Sequence, residues 1–135
     1  MENTGSHDPG GKLILLGEDD KTMMEALDTA LHKEGFRLAK AADGDEAIDK
    51  ARTLRPDLIL LDLMLPRRSG FEVLREFRDE AAEIPVVILT GCYSDPTTVG
   101  MLRQEPNVKD FLLKPVELRT LADRLHALLG TRRPA

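Results

Sequence analysis

The segment Pro56-Asp57-Leu58-Ile59-Leu60-Leu61-Asp62-Leu63-Met64-Leu65-Pro66 runs four consecutive apolar residues into a carboxylate and stops at a proline. Leu58 to Leu61 lack polar alternation. That is the pattern of a strand covered on both faces, and such strands belong to parallel sheets flanked by helices. Asp62 then stands at the tip of the strand, where open sheets of this kind gather their chemistry.

Other apolar runs end in matching groups. Leu13-Ile14-Leu15-Leu16-Gly17 leads into three successive acids, Glu18-Asp19-Asp20, before a helical pattern starts at Lys21. Ile84-Pro85-Val86-Val87-Ile88-Leu89 ends in Thr90-Gly91, and the segment from Val108 to Leu113 ends in Lys114-Pro115. If the sheet is parallel, Glu18, Asp19, Asp62, Thr90 and Lys114 share one edge. Clustered carboxylates stay ionised together only beside positive charge, and hard oxygen ligands suit Mg2+. An aspartate beside a metal and a lysine is a candidate nucleophile toward a phosphoryl group, because both cations offset charge on the transferring oxygens. Thr90 could donate a hydrogen bond to one of them.

The intervening segments carry helical periodicity. Met24, Leu27, Ala30 and Leu31 mark a first helix stopping at Gly35, with Asp20 as its N-cap. Ala47, Ile48, Ala51 and Leu54 mark a second, after Asp43-Gly44 and closed by Pro56. Phe71, Val73, Leu74 and Phe77 mark a third. Leu118, Leu121, Ala122, Leu125, Leu128 and Leu129 form the last, ending at Gly130. The fourth is weak: Thr97-Thr98-Val99-Gly100 joins β-branched residues to a glycine, and Pro106 cuts the segment off. Strands alternating with helices predict the α/β class, a three-layer flavodoxin-like (βα)5 sandwich on a parallel five-stranded sheet of order 2-1-3-4-5.

A chain of 135 residues, 41% hydrophobic and 32% charged, fits one globular domain. Its expected limits are 12–130, after a disordered lead-in at 1–11 and before a tail or linker start at 131–135. No DNA-binding, cyclase or kinase segment follows Gly130, so the chain reads as a stand-alone domain or one excised from a larger protein. The formal net charge of -5 argues against direct nucleic-acid binding, which needs a basic face. No segment approaches the ~18 apolar residues of a membrane span, and residues 1–11 lack a signal-peptide core. The single cysteine, Cys92, excludes an internal disulfide, reads as a small half-buried residue and fits a reducing, cytoplasmic setting. Arg67-Arg68 reads as a solvated loop. His7, His32 and His126 have no ligand spacing and are expected to be exposed.

Two other function classes fit poorly. An aspartyl-nucleophile phosphatase often needs a second acid two residues on, where this chain has Met64. A flavin or nucleotide module would need a phosphate loop after the first strand, where Glu18-Asp19-Asp20 would repel phosphate.

The acidic pair Glu18-Asp19, the run Asp62-Leu63-Met64-Leu65-Pro66 with Gly70 following, Thr90-Gly91 and Lys114-Pro115 occur in this order, each group after an apolar strand. Over roughly residues 12 to 129 the chain resembles the CheY-like receiver domains of two-component response regulators. The resemblance implies a phosphoacceptor rather than an enzyme acting on other molecules. Asp62 would take a phosphoryl group from a sensor histidine kinase or phosphotransfer protein. Mg2+ (or Mn2+) would be held by Asp19, Asp62, the Met64 backbone carbonyl and, through water, Glu18. Thr90, Gly91 and Lys114 would bind the phosphoryl group. Phe111, at the aromatic switch position where Tyr is frequent, could act by packing alone. The face of the fourth helix, fifth strand and fifth helix would report the change to partners and could form a homodimer. A degenerate receiver that only binds proteins is the alternative. The chain departs from the usual pattern between Thr90 and Phe111, about two residues longer, and at Asn107-Val108, where Gly-Ala is customary. Asn107 is expected to keep a left-handed turn.

Overall fold

The computed structural model describes residues 8–68, 70–91 and 96–134. Its elements alternate: β1 (Leu13–Gly17), α1 (Lys21–Lys33), β2 (Arg37–Ala41), α2 (Gly44–Leu54), β3 (Leu58–Asp62), α3 (Gly70–Glu80), β4 (Val86–Thr90), α4 (Pro96–Arg103), β5 (Val108–Leu113) and α5 (Leu118–Leu129). All strand pairings are parallel and the order is β2-β1-β3-β4-β5, as predicted. Alternate residues of one strand face opposite ways. Leu15, Ile59, Leu61, Val86 and Ile88 therefore pack with α2, α3 and Leu102 of α4. Ile14, Leu16, Leu58, Leu60 and Val87 pack with α1 and α5. Every residue of β3 and β4 is buried, which accounts for their unbroken apolar runs.

The helix ends follow local chemistry. Asp20 Oδ1 accepts from the Thr22 and Met23 amides at 2.9 and 3.4 Å, the expected cap of α1. Asp43 caps α2 through the Glu46 amide, while Glu46 Oε1 accepts the Ala42 N–H at 2.7 Å. Gly70, at the start of α3, is required by close approach: a Cβ there would lie 2.5 Å from Leu63 Cδ2 and 3.1 Å from the Leu63 backbone.

Several expectations are corrected. Leu54 and Leu128 are 46% and 37% exposed, because each lies near a helix end where the stripe has passed beyond the sheet. Helix α2 ends at Leu54, just before Pro56 as expected, with Arg55 as its C-cap at φ 47° while its guanidinium bonds the Glu80 carbonyl and the Glu83 carboxylate. Asn107 does not have the positive φ of a left-handed turn. The β4–β5 ladder slips by one residue just after it, where Val86 pairs with Val108 and Val87 with Asp110. The Asn107 side-chain amide is buried, and neither Oδ1 nor Nδ2 finds a partner among the described residues.

His126 is also not exposed. The residue is 7% exposed, and its ring lies 4.7 Å from the Phe36 ring and bonds Glu34 Oε1 at 2.8 Å and Thr131 Oγ1 at 2.7 Å. Arg133 joins the cluster through Glu34 and Asp123. Residues 131–133, read as tail, thus contact the ends of α1 and α5. Residues 9–11, read as lead-in, form a 3-10 turn with Pro9 buried. Pro9 and Pro134 converge on Gly35, whose φ of 95° and crowded surroundings exclude a side chain. His32 is exposed as expected and pairs with Asp28. His7 and Cys92 lie outside the described residues.

Removing a buried hydrogen-bonded group costs more than trimming an exposed ion pair. His126→Ala is expected to lower unfolding free energy by about 2 kcal/mol, and Arg133→Ala by less than about 1 kcal/mol. Urea denaturation measures both. Equal losses would show that the ring is not a structural link.

Candidate functional site

The parallel ladder continues one residue past the strands and fixes the edge of the sheet. The Glu18 amide donates to the Ala41 carbonyl (3.0 Å), the Leu63 amide to Leu89 (3.1 Å), and the Lys114 amide to Thr90 (2.6 Å). Glu18, Asp62, Thr90 and Lys114 therefore occupy neighbouring strand ends, as the apolar runs implied. Lys114 and Pro115 are joined by a cis peptide bond.

Lys114 Nζ donates to Glu18 Oε1 at 2.7 Å and to Asp62 Oδ2 at 2.9 Å. The Glu18 and Asp62 residues are 2% and 4% exposed, Thr90 is buried, and Asp19 is exposed. The remaining oxygens have backbone donors: Asp62 Oδ1 takes the Met64 amide at 2.9 Å, and Glu18 Oε2 takes the Asp20 amide at 3.1 Å. One carboxylate oxygen from each of Glu18, Asp19 and Asp62 lies within 4.8 Å of the others.

Burial pushes the Glu18 pKa above its ordinary value, the nearby Asp62 charge adds to this, and the Lys114 and Asp20 hydrogen bonds only partly offset it. Burial works against the Lys114 charge, but its bonds to Glu18 and Asp62 outweigh that penalty and raise its pKa. The repulsion expected among three carboxylates is thus already relieved for two of them. With all groups ionised, three carboxylates against one ammonium leave two negative charges, which a divalent cation would neutralise. Hard oxygen donors in this number fit Mg2+ or Mn2+.

Phe111 is half-buried against the α2–α3 core, two residues before Leu113, the partner of Thr90 in the ladder. Thr90 and Phe111 therefore share a sheet face as diagonal neighbours. Gly91 is half-buried, and the Met64 side chain is 76% exposed, so its contribution to the cluster runs through the backbone. Arg68 is paired with Asp45, and Arg67, at φ 75°, with Asp43. Both arginines tie the loop after β3 to the start of α2 rather than standing free. Sequence reasoning missed two contacts: the Met64 amide on Asp62, visible only once the turn after β3 is built, and the Arg103 guanidinium 5.7 Å over the Phe111 ring.

The family model for the response regulator receiver domain matches residues 14–126. Transcriptional regulatory protein AfsQ1 of Streptomyces coelicolor is 40% identical over 116 residues, 86% of this chain and 50% of that protein. DNA-binding response regulator MtrA of Mycobacterium leprae is 39% identical over 116 residues, again 86% and 50%. The chain spans about half the length of the curated relatives it matches. The receiver domain of a Francisella response regulator superposes with a TM-score of 0.79 at 28% identity, covering 88% of this chain and 97% of that one. Among the described residues, no helix is long and apolar enough to cross a membrane.

Stranding two buried carboxylates is costly. Lys114→Met is expected to destabilise the metal-free protein by about 3 kcal/mol, measured by denaturant titration at neutral pH. A second outcome concerns pH. A raised Glu18 pKa means the folded state holds its proton longer than the unfolded chain does. The resulting stability is full below the ordinary value of 4.5 and is lost as pH rises through the folded pKa. The unfolding free energy of the wild type minus that of Glu18→Gln should therefore fall as pH rises from 4.5, then level off. A difference that rises instead would contradict the burial effect.

Proposed function

The chain belongs to the response regulator receiver domain family, and from that premise we propose that it is a phosphoacceptor of a two-component phosphorelay, with Asp62 receiving the phosphoryl group. The observation that carries the reading is the buried Asp62 carboxylate held between the Lys114 ammonium and the Met64 amide, beside Glu18 and Asp19. Both contacts fix the carboxylate at the sheet edge.

In the transfer, an Asp62 oxygen forms a P–O bond while the P–N bond to a donor histidine breaks, and the electron pair leaves with the imidazole. Lys114, whose pKa the bonds to Glu18 and Asp62 raise in the resting site, moves from sharing those two carboxylates to bonding a phosphoryl oxygen. The Thr90 hydroxyl donates to another phosphoryl oxygen. Asp19, Asp62 and the Met64 carbonyl would hold Mg2+ or Mn2+, with Glu18 acting through water, and the ion would supply Lewis-acid charge to the transferring oxygens. Hydrolysis of the aspartyl phosphate restores the starting state, so the only reactions are the protein's own phosphorylation and dephosphorylation.

Thr90 drawn toward the phosphoryl group vacates space on the face it shares with Phe111. The ring turns inward to fill it, an apolar gain with no polar tip to satisfy. The α4–β5–α5 face then changes shape and carries the signal to a partner or forms the homodimer surface. The donor is a sensor histidine kinase or phosphotransfer protein in the cytoplasm. The formal net charge of -5 gives no electrostatic support for direct nucleic-acid binding by this chain.

With Mg2+ and a small acyl phosphate, intact mass should show a gain of one phosphoryl group. Asp62→Asn should abolish it, and Asp19→Ala should sharply lower Mg2+-supported labelling and remove Mg2+-induced thermal stabilisation. Labelling that persists in Asp62→Asn would relocate the acceptor. A wild type that never labels would favour the degenerate, protein-binding alternative.

A further inference from the structure

Arg103 closes α4, and its guanidinium sits 5.7 Å from the centroid of the Phe111 ring. Among the described residues it makes no ion pair, so the ring is its contact. Arg103 and Phe111 line one groove with Pro96, Val99, Gly100 and Leu113. The backbone of Phe111 is held separately. Its amide donates to Asp110 Oδ1 at 2.8 Å, and Asp110 Oδ2 takes Arg124 of α5 at 2.6 Å. The strand is thus fixed from the α5 side, while the side chain is held from the α4 side by a cation over its face. Rotation of the ring inward leaves the strand in place, keeps the ring against the α2–α3 core it already touches, and breaks the Arg103 contact.

We infer that Arg103 is a positioning residue for the switch, a latch that keeps Phe111 at the surface until the site is phosphorylated. The inference rests on the phosphoacceptor reading above. The latch sets the resting population: whatever energy the contact supplies favours the outward ring, and a phosphoryl group must overcome it before the face changes. Releasing the ring also leaves the Arg103 guanidinium without its ring contact on the α4–β5 surface, so one event alters the shape of that face and the freedom of a cation on it. An exposed cation–π contact shifts such an equilibrium about two- to fivefold.

The test uses Arg103→Met, which keeps an apolar stem and loses the charge, in the wild-type and Phe111→Leu backgrounds. Protein labelled with fluorophenylalanine gives a 19F resonance for Phe111, identified by its loss in Phe111→Leu. In the free protein, Arg103→Met should move that resonance toward its position in protein loaded with Mg2+ and beryllofluoride. It should also tighten the apparent beryllofluoride affinity about two- to fivefold, while Arg103→Lys stays near the wild type. In Phe111→Leu, Arg103→Met should leave the affinity unchanged, because the pair is already broken. An unmoved resonance, or an equal affinity change in both backgrounds, overturns the latch while leaving the phosphoacceptor reading intact. Failure of the wild type itself to load overturns the phosphoacceptor reading and the latch with it.

Discussion

The Lys114 ammonium, shared between Glu18 and Asp62, is the contact on which the functional edge depends. Parallel strands joined through helices must end on the same side, so the acids that close β1 and β3 are brought together whether or not their charges tolerate it. Two carboxylates 4 Å apart repel by about 4 kcal/mol at an effective dielectric near 20. The sheet meets this with the end of β5. The amide of Lys114 bonds Thr90, which fixes where β5 stops, and the same residue's side chain then reaches across β4 to the acids. Strand register and charge balance are therefore one constraint.

The edge is unevenly supported. β3 and β4 are buried along their full lengths. Among the described side chains of α4, Leu102 alone is buried, while Met101 is exposed. The corner between α4 and β5 also holds the unpartnered Asn107 amide, a burial that costs about 1–3 kcal/mol, and the slip in the β4–β5 ladder. Few apolar contacts and an unsatisfied polar group mark the parts of a protein that open first. The weak propensity of Thr97-Thr98-Val99-Gly100 points the same way. Local sequence and tertiary packing agree that this corner is soft.

Much of the framework was legible because β1, β3 and β4 are covered on both faces, which writes itself into sequence as apolar runs, and because Asp20 and Gly35 are helix punctuation of known chemistry. The site was legible for the same reason: once the sheet is parallel, Glu18, Asp62, Thr90 and Lys114 must meet. What failed depended on contacts distant in sequence. Leu54 and Leu128 fit a helical stripe but overrun the sheet beneath them. His126 looked like any surface histidine, and its burial arises only where Glu34, Phe36 and Thr131 converge. Arg55 ends α2 in a conformation usually left to glycine because α3 and the loop beyond it supply partners for its guanidinium. That Lys114 pairs with Glu18 and Asp62, and not with Asp19, follows from side-chain reach that spacing does not encode.

The two ends of the sheet share their stiffest connectors. α1 starts at the Asp20 cap beside Glu18 and ends against Glu34, while α5 starts just after Lys114-Pro115 and ends at His126. At 13 and 12 residues each helix spans roughly 18–20 Å, and the Glu34–His126 bond ties their far ends together. A rearrangement at the acidic edge that pushed on α1 or α5 would have to strain that bond and the core beneath it. One that displaced Thr90 meets, among the described residues, Phe111, an arginine laid over its ring, and a short helix whose described side chains include one that is buried. The direction in which this domain can yield is set by what is tied down elsewhere. The Glu34–His126 clasp at the amino-terminal edge thus stiffens α1 and α5 and leaves α4 and β5 as the less supported side of the sheet.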